Sequence, residues 1–99
     1  MRKITTLCGS TRFKESFENI EKKLTLEGRI VLSVCFFDKD DVLELDSEQY
    51  EILGELHRDK IKMSDGIFVI NENGYIGEST RREIEYAQLL NKEIEYLES

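Results

Sequence analysis

Apolar residues along this 99-residue chain fall in short blocks that switch between two periods. Residues 3–8 form a strand-like run that ends in Leu7-Cys8 and is broken by Gly9. Phe13, Phe17, Ile20 and Leu24 then recur at i, i+4, i+7 and i+11, the spacing of one helix face. Ser10 and Thr11 stand ahead of them as N-cap side chains. Gly28 occupies a helix C′ position, and residues 30–34 form a second apolar run. Strand, helix and strand at this spacing predict a right-handed βαβ unit with parallel strands.

Residues 36–46 are acidic and read as a solvated loop leaving the carboxyl end of the second strand, where a ligand cleft would lie. Asp46 or Ser47 opens a second helix over residues 48–63, with Leu53, Leu56 and Ile61 inward. Asp65-Gly66 turns the chain into Ile67-Phe68-Val69-Ile70. An apolar run rich in β-branched residues and bounded by turn formers predicts a buried strand. A loop with Gly74 and Gly77 follows, then a helix over residues 80–91 carrying Ile84, Ala87 and Leu90 on one face. Residues 93–97 predict a fourth, edge strand. The order βαβαβαβ predicts a single α/β domain over residues 1–99, with a doubly wound parallel sheet in a three-layer arrangement. The expected strand order is 2-1-3-4. Ligands bind at the switch point of such a sheet. That places Gly9, Ser10, Thr11 and Arg12 beside Gly77, Glu78, Ser79 and Thr80 at one cleft.

Charge narrows the choice of ligand. Asp and Glu outnumber Lys and Arg by 21 to 14, a formal net charge of −7. That balance argues against a polymeric nucleic acid held by its backbone, yet a few local arginines suffice for one phosphate. Cys8 and Cys35 each lie in or just after an apolar run, so buried free thiols are expected rather than a disulfide. No apolar run is long enough for a bilayer and no signal-like segment precedes the first strand. The expectation is a cytoplasmic protein with no membrane partner. One histidine and two separated cysteines give no zinc-ligand spacing.

Two stretches carry candidate chemistry. In the first, Gly9 lets the backbone approach a ligand, Ser10 and Thr11 offer hydroxyls, and Arg12 offers a planar fork for phosphate. A plain glycine turn with an N-cap is the alternative. In the second, Ser79, Thr80 and the free N–H groups of a first helical turn would face an anion. Glu83 in that turn would be kept ionised by the helix dipole and able to act as a nucleophile. Thr80-x-x-Glu83 is equally a capping box, with Glu83 folded back on the N-cap amide. His57 is the one histidine, structural or catalytic. Arg81 and Arg82 point in different directions on a helix, so at most one would meet a phosphate. Tyr75 would stack on a base or pack on the sheet edge.

Together these residues resemble the nucleoside 2-deoxyribosyltransferase-like superfamily, which includes nucleoside 5′-monophosphate N-glycosidases. Leu7-Cys8-Gly9-Ser10-Thr11-Arg12 is similar to its strand-end Gly-Ser-x-Arg loop. Ser64-Asp65 ahead of residues 67–70 is similar to its small-residue, aspartate and apolar-strand element. Ser79-Thr80-x-x-Glu83-Ile84-x-x-Ala87 resembles its Gly-Thr-x-x-Glu helix start. The chain departs from the family at Ser79 and Glu85, where glycines are usual, and at His57, where the family has an aspartate; a shifted register would choose Asp59.

The resemblance implies a Rossmann-like or flavodoxin-like fold and an N-glycosidase or deoxyribosyltransferase acting on a small-molecule nucleoside or nucleotide. Glu83 would attack the anomeric carbon and His57 or Asp59 would assist. Gly9, Ser10, Arg12, Gly77, Ser79 and Thr80 would hold sugar or phosphate. No metal and no organic cofactor is implied. The short chain is expected to complete its cleft as a homodimer or larger homo-oligomer. The departures at Glu85 and His57 keep open a second reading, a nucleotide sensor that uses the same cleft without turnover.

Overall fold

A computed structural model of the chain describes residues 1–37 and 44–99, so most of the predicted acidic loop lies outside the described residues. The elements are β1 (Ile4–Gly9), α1 (Lys14–Leu26), β2 (Ile30–Leu32), α2 (Ser47–Met63), β3 (Gly66–Ile70), α3 (Glu78–Leu89) and β4 (Glu93–Tyr96). Short 3-10 turns at Thr11–Phe13 and Glu72–Gly74 follow β1 and β3. All strand pairs are parallel, in the order β2-β1-β3-β4. This is the expected doubly wound sheet, with α1 on one face and α2 and α3 on the other.

The period of two along each strand divides the core. Leu7, Phe68 and Ile70 face α1 and pack on Phe17, Ile20 and Leu24. Cys8, Ile67 and Val69 face the other way and pack on Ile61 of α2 and on Ile84 and Ala87 of α3. All five β3 residues are buried, which explains its unbroken apolar run: a central parallel strand is covered on both faces. Burying a side chain of the size of Phe17 contributes about 1.5–3 kcal/mol.

Turn chemistry sets the element ends. Gly9 has φ +152°, and a Cβ there would lie 2.8 Å from the Ile70 carbonyl oxygen, so only glycine fits between β1 and β3. Gly28, at φ +91°, follows the C-terminus of α1 as expected. Asp46, not Ser47, caps α2. Its carboxylate accepts from the Gln49 amide at 2.8 Å, and the Gln49 side chain accepts from the Asp46 amide at 2.9 Å. Asp65 ties β3 to β1, its carboxylate accepting from the Ile4 amide at 2.8 Å. Ser64 is hydrogen-bonded to Thr6 of β1.

Three expectations change. Leu56 is 50% exposed, and the buried residues of α2 are His57 and Ile61. Those two are four apart and share a stripe, whereas Leu56 lies about 100° around the helix from His57. β2 ends at Leu32, which leaves Cys35 beyond the strand and exposed; both cysteines are free. Helix α3 begins at Glu78, two residues before the expected start. Among the described residues, no helix is long and apolar enough to cross a membrane.

Candidate functional site

The early start of α3 decides the two readings of Glu83. Gly77 is the N-cap and no side chain caps the helix. Arg81 N–H makes the first helical bond, to the Gly77 carbonyl at 2.9 Å. Thr80 is therefore the third helical residue, its side chain only 3% exposed, and the predicted capping box with Glu83 does not form. Glu83 falls in the second turn, past the reach of the end dipole, which fades within the first turn. Its environment acts opposite to the expectation: burial pushes its carboxyl up to about 7, against the pull of a hydrogen bond from Cys8 and the charges of Arg58 and Arg82.

Three distant chain positions converge there. Cys8 is the last residue but one of β1, with its side chain on the α2/α3 face. His57, 8% exposed, projects from α2. Glu83 comes from α3. One imidazole nitrogen, His57 Nε2, lies 3.4 Å from Cys8 Sγ and 3.5 Å from Glu83 Oε1. Burial and the charge of Lys60 depress His57 to about 4, so the ring is neutral at pH 7 and the contact with Glu83 is not an ion pair. Burial, then the charge of Glu83 and a hydrogen bond to it, raise the Cys8 thiol well above its usual value. A protonated thiol buried in this way is a poor nucleophile.

In front of Glu83 lies a cleft of about 510 Å³ between α2 and α3. Tyr50, Glu51, Gly54 and Arg58 line it from α2, and Ser79, Arg82 and Glu83 from α3. Of the two arginines that open α3, Arg82 is the one in the cleft. Asp59 is exposed and is not part of the lining. His57 backs Glu83 rather than lining the cleft.

The remaining predicted residues form a second group at the strand ends. Ser10 Oγ accepts from the Arg12 amide at 3.3 Å and from Arg12 Nε at 3.2 Å. The Arg12 guanidinium stacks 4.3 Å above the Tyr75 ring and donates to its hydroxyl at 3.3 Å. The same hydroxyl lies over Gly77, 3.3 Å from where a Cβ would be. So the β1 and β3 loops do meet, through Arg12 and Tyr75, beside the start of α3. Ser79, two residues beyond Gly77, is the predicted loop residue that reaches the cleft. Thr80 is buried beneath it, because the third position of α3 faces the sheet.

Cys8, Glu51 and Arg58 were not singled out by sequence as site residues. Cys8 carried a signal, since it immediately precedes the Gly9 loop. Glu51 and Arg58 carried none, being ordinary charges on a helix. No protein-family model matches the chain, and no curated protein matches it. The likeness to 2-deoxyribosyltransferases rests on the motifs quoted above.

Proposed function

We propose that the chain cleaves or transfers the N-glycosidic bond of a nucleoside or nucleoside 5′-monophosphate, with Glu83 as nucleophile. The observation that carries this reading is a carboxyl set into a cleft wall, flanked by Arg58 and Arg82 and backed by His57 and Cys8. One Glu83 oxygen attacks C1′. The C1′–N bond breaks, its electron pair leaves with the base, and the base takes a proton from solvent. Water, or a second base, then attacks C1′ and returns the Glu83 carboxylate.

His57 is a positioning residue in this scheme. A neutral, buried imidazole against Glu83 limits the rotamers of the carboxyl but does not protonate a departing base at pH 7. Arg82 and Arg58 supply positive charge inside the cleft. Arg12, with the amides that open α3, supplies it at the loops, where a 5′-phosphate would be held. A second copy of the chain closes the cleft over α2, where Ile52 and Leu56 are exposed. Light scattering should show a homodimer or larger species; a fully active monomer would contradict that part.

The test is a screen of nucleosides and nucleoside monophosphates for free base by chromatography. Release from at least one class is expected. Only the ionised carboxylate attacks, so the rate in chelator-treated protein should rise with pH through about 7 and then level off. A rate that falls through that range would make Glu83 a general acid instead. Saturable nucleotide binding with no base released from any compound would establish the sensor reading.

A further inference from the structure

The Cys8, His57 and Glu83 cluster offers one thiol sulfur, one imidazole nitrogen and one carboxylate oxygen, all within 4.8 Å of one another. We propose that this cluster is a binding site for a divalent ion of the zinc type, with three protein ligands and a fourth position open to the cleft between α2 and α3.

Both separations from the shared imidazole nitrogen match those of a tetrahedral site, and the sulfur and the carboxylate oxygen lie within 4.8 Å of each other. Bonds of about 2.3 Å to sulfur and about 2.0–2.1 Å to nitrogen and oxygen set S···N and N···O separations of about 3.5 Å and 3.4 Å. The observed separations are 3.4 Å from Cys8 Sγ to His57 Nε2 and 3.5 Å from that nitrogen to Glu83 Oε1. An ion can therefore enter with small side-chain movements. One His57 nitrogen, Nε2, faces both partners, as a shared ion requires.

The donor set is selective. Thiolate and imidazole favour zinc over magnesium or calcium, which take oxygen ligands. On binding, the Cys8 thiol, and Glu83 where it is protonated, release their protons to solvent, and the thiolate and carboxylate together cancel the two charges of the ion. Cys8 and His57 are buried, while Glu83 reaches the cleft lining, so the path of entry runs past Glu83. The positive charges of Arg58 and Arg82 beside that path oppose the ion and keep the site from being a general cation trap. Three protein ligands with one open position are the arrangement of zinc sites that exchange a ligand rather than of closed structural ones. The site does not rest on the N-glycosidic reading: an ion held by Glu83 would block its attack on C1′, so the ion-bound and ion-free cluster are alternative states, and the test of the site uses no activity.

The experiment is titration of chelator-treated protein with zinc against a chromophoric chelator, repeated with cobalt to read the ligands by absorption. One ion per chain is expected. The cobalt form should show the near-ultraviolet thiolate-to-metal band and the strong visible bands of a tetrahedral site. Cys8→Ser should remove the thiolate band and weaken zinc binding at least tenfold, whereas Cys35→Ser should leave both unchanged. Glu83→Gln should keep the thiolate band and weaken zinc at least tenfold, which keeps the test decisive if Cys8→Ser fails to fold. No stoichiometric zinc binding at micromolar concentration would overturn the proposal. So would a thiolate band lost with Cys35, or zinc binding unaltered by Glu83→Gln.

Discussion

The two faces of the sheet are built from different materials. Against α1, β1 and β3 contribute Leu7, Phe68 and Ile70, and the helix answers with Phe17, Ile20 and Leu24. Charge on that face is confined to a partly exposed rim, where Arg29 forks onto Glu95 at 2.6 and 3.1 Å. Against α2 and α3, the same strands contribute Thr6 and Cys8, and the helices answer with His57, Thr80 and Glu83 beside Ile61 and Ile84, with Ser64 just past the end of α2. One face is mainly apolar packing, with the buried Thr5 hydroxyl accepting from Arg29 at its rim. The other buries titratable groups that stay neutral or shift, a cost that folding alone does not require. The contrast is what the proposed function draws on: the second face holds the buried titratable groups, the first the larger apolar side chains.

The largest effect should come from breaking the packing face. Phe17→Ala removes a fully buried ring and should destabilise the fold by about 3–5 kcal/mol, read by denaturant unfolding. If the loss is under about 1 kcal/mol, α1 does not carry the stability assigned to it.

A smaller effect sharpens the chemical face. Arg12→Ala removes one charge-assisted contact, about 1.4 kcal/mol or more, and should weaken a nucleoside monophosphate roughly tenfold. The matching unphosphorylated nucleoside should be unaffected. Calorimetric titration of both ligands closes the cycle. A phosphate-specific loss found instead in Arg82→Ala would move the phosphate from the loops into the cleft between α2 and α3.

The smallest effect belongs to the rim. Arg29 holds the Glu95 carboxyl below its usual range, first through the hydrogen bond. A depressed folded-state pKa contributes stability above the unfolded value, about 4.3, that is lost as pH falls through the folded one. Because the pair is partly exposed, the contribution should stay under about 1 kcal/mol. Glu95→Gln should lower the melting temperature slightly at pH 7 and not at pH 2. An equal loss at both would assign the effect to packing.

The same contrast explains what was legible in the sequence. Strand order, the central position of β3 and the α1 stripe follow from local periodicity and from the handedness of βαβ units. The Gly9 turn was legible too, because only glycine tolerates that backbone beside Ile70. The start of α3 was not: Ser79 and Thr80 are both good caps by residue type, yet the helix begins at Glu78 with Gly77 as N-cap and Thr80 buried in its first turn. The fate of Glu83 turned on that shift, from a dipole-stabilised carboxylate to a desolvated one. The convergence of Cys8 and His57 on Glu83 was hidden for another reason. The three residues lie on three elements, and only the completed sheet brings them together. Leu56 and His57 are neighbours, and hydropathy alone assigned the inward place to the wrong one.

The central claim is that Glu83 is a nucleophile and not part of the scaffold. Its most direct test compares Glu83→Gln with the native chain for base release, monophosphate affinity and melting temperature at pH 8. Glutamine keeps the shape and loses the attacking oxygen. It also relieves the burial of a carboxylate whose folded pKa, about 7, lies above its unfolded value. The account predicts no base release, monophosphate affinity close to native, and a melting temperature unchanged or raised. Base release at the native rate, or a melting temperature several degrees lower in a chain with no native activity, would contradict it.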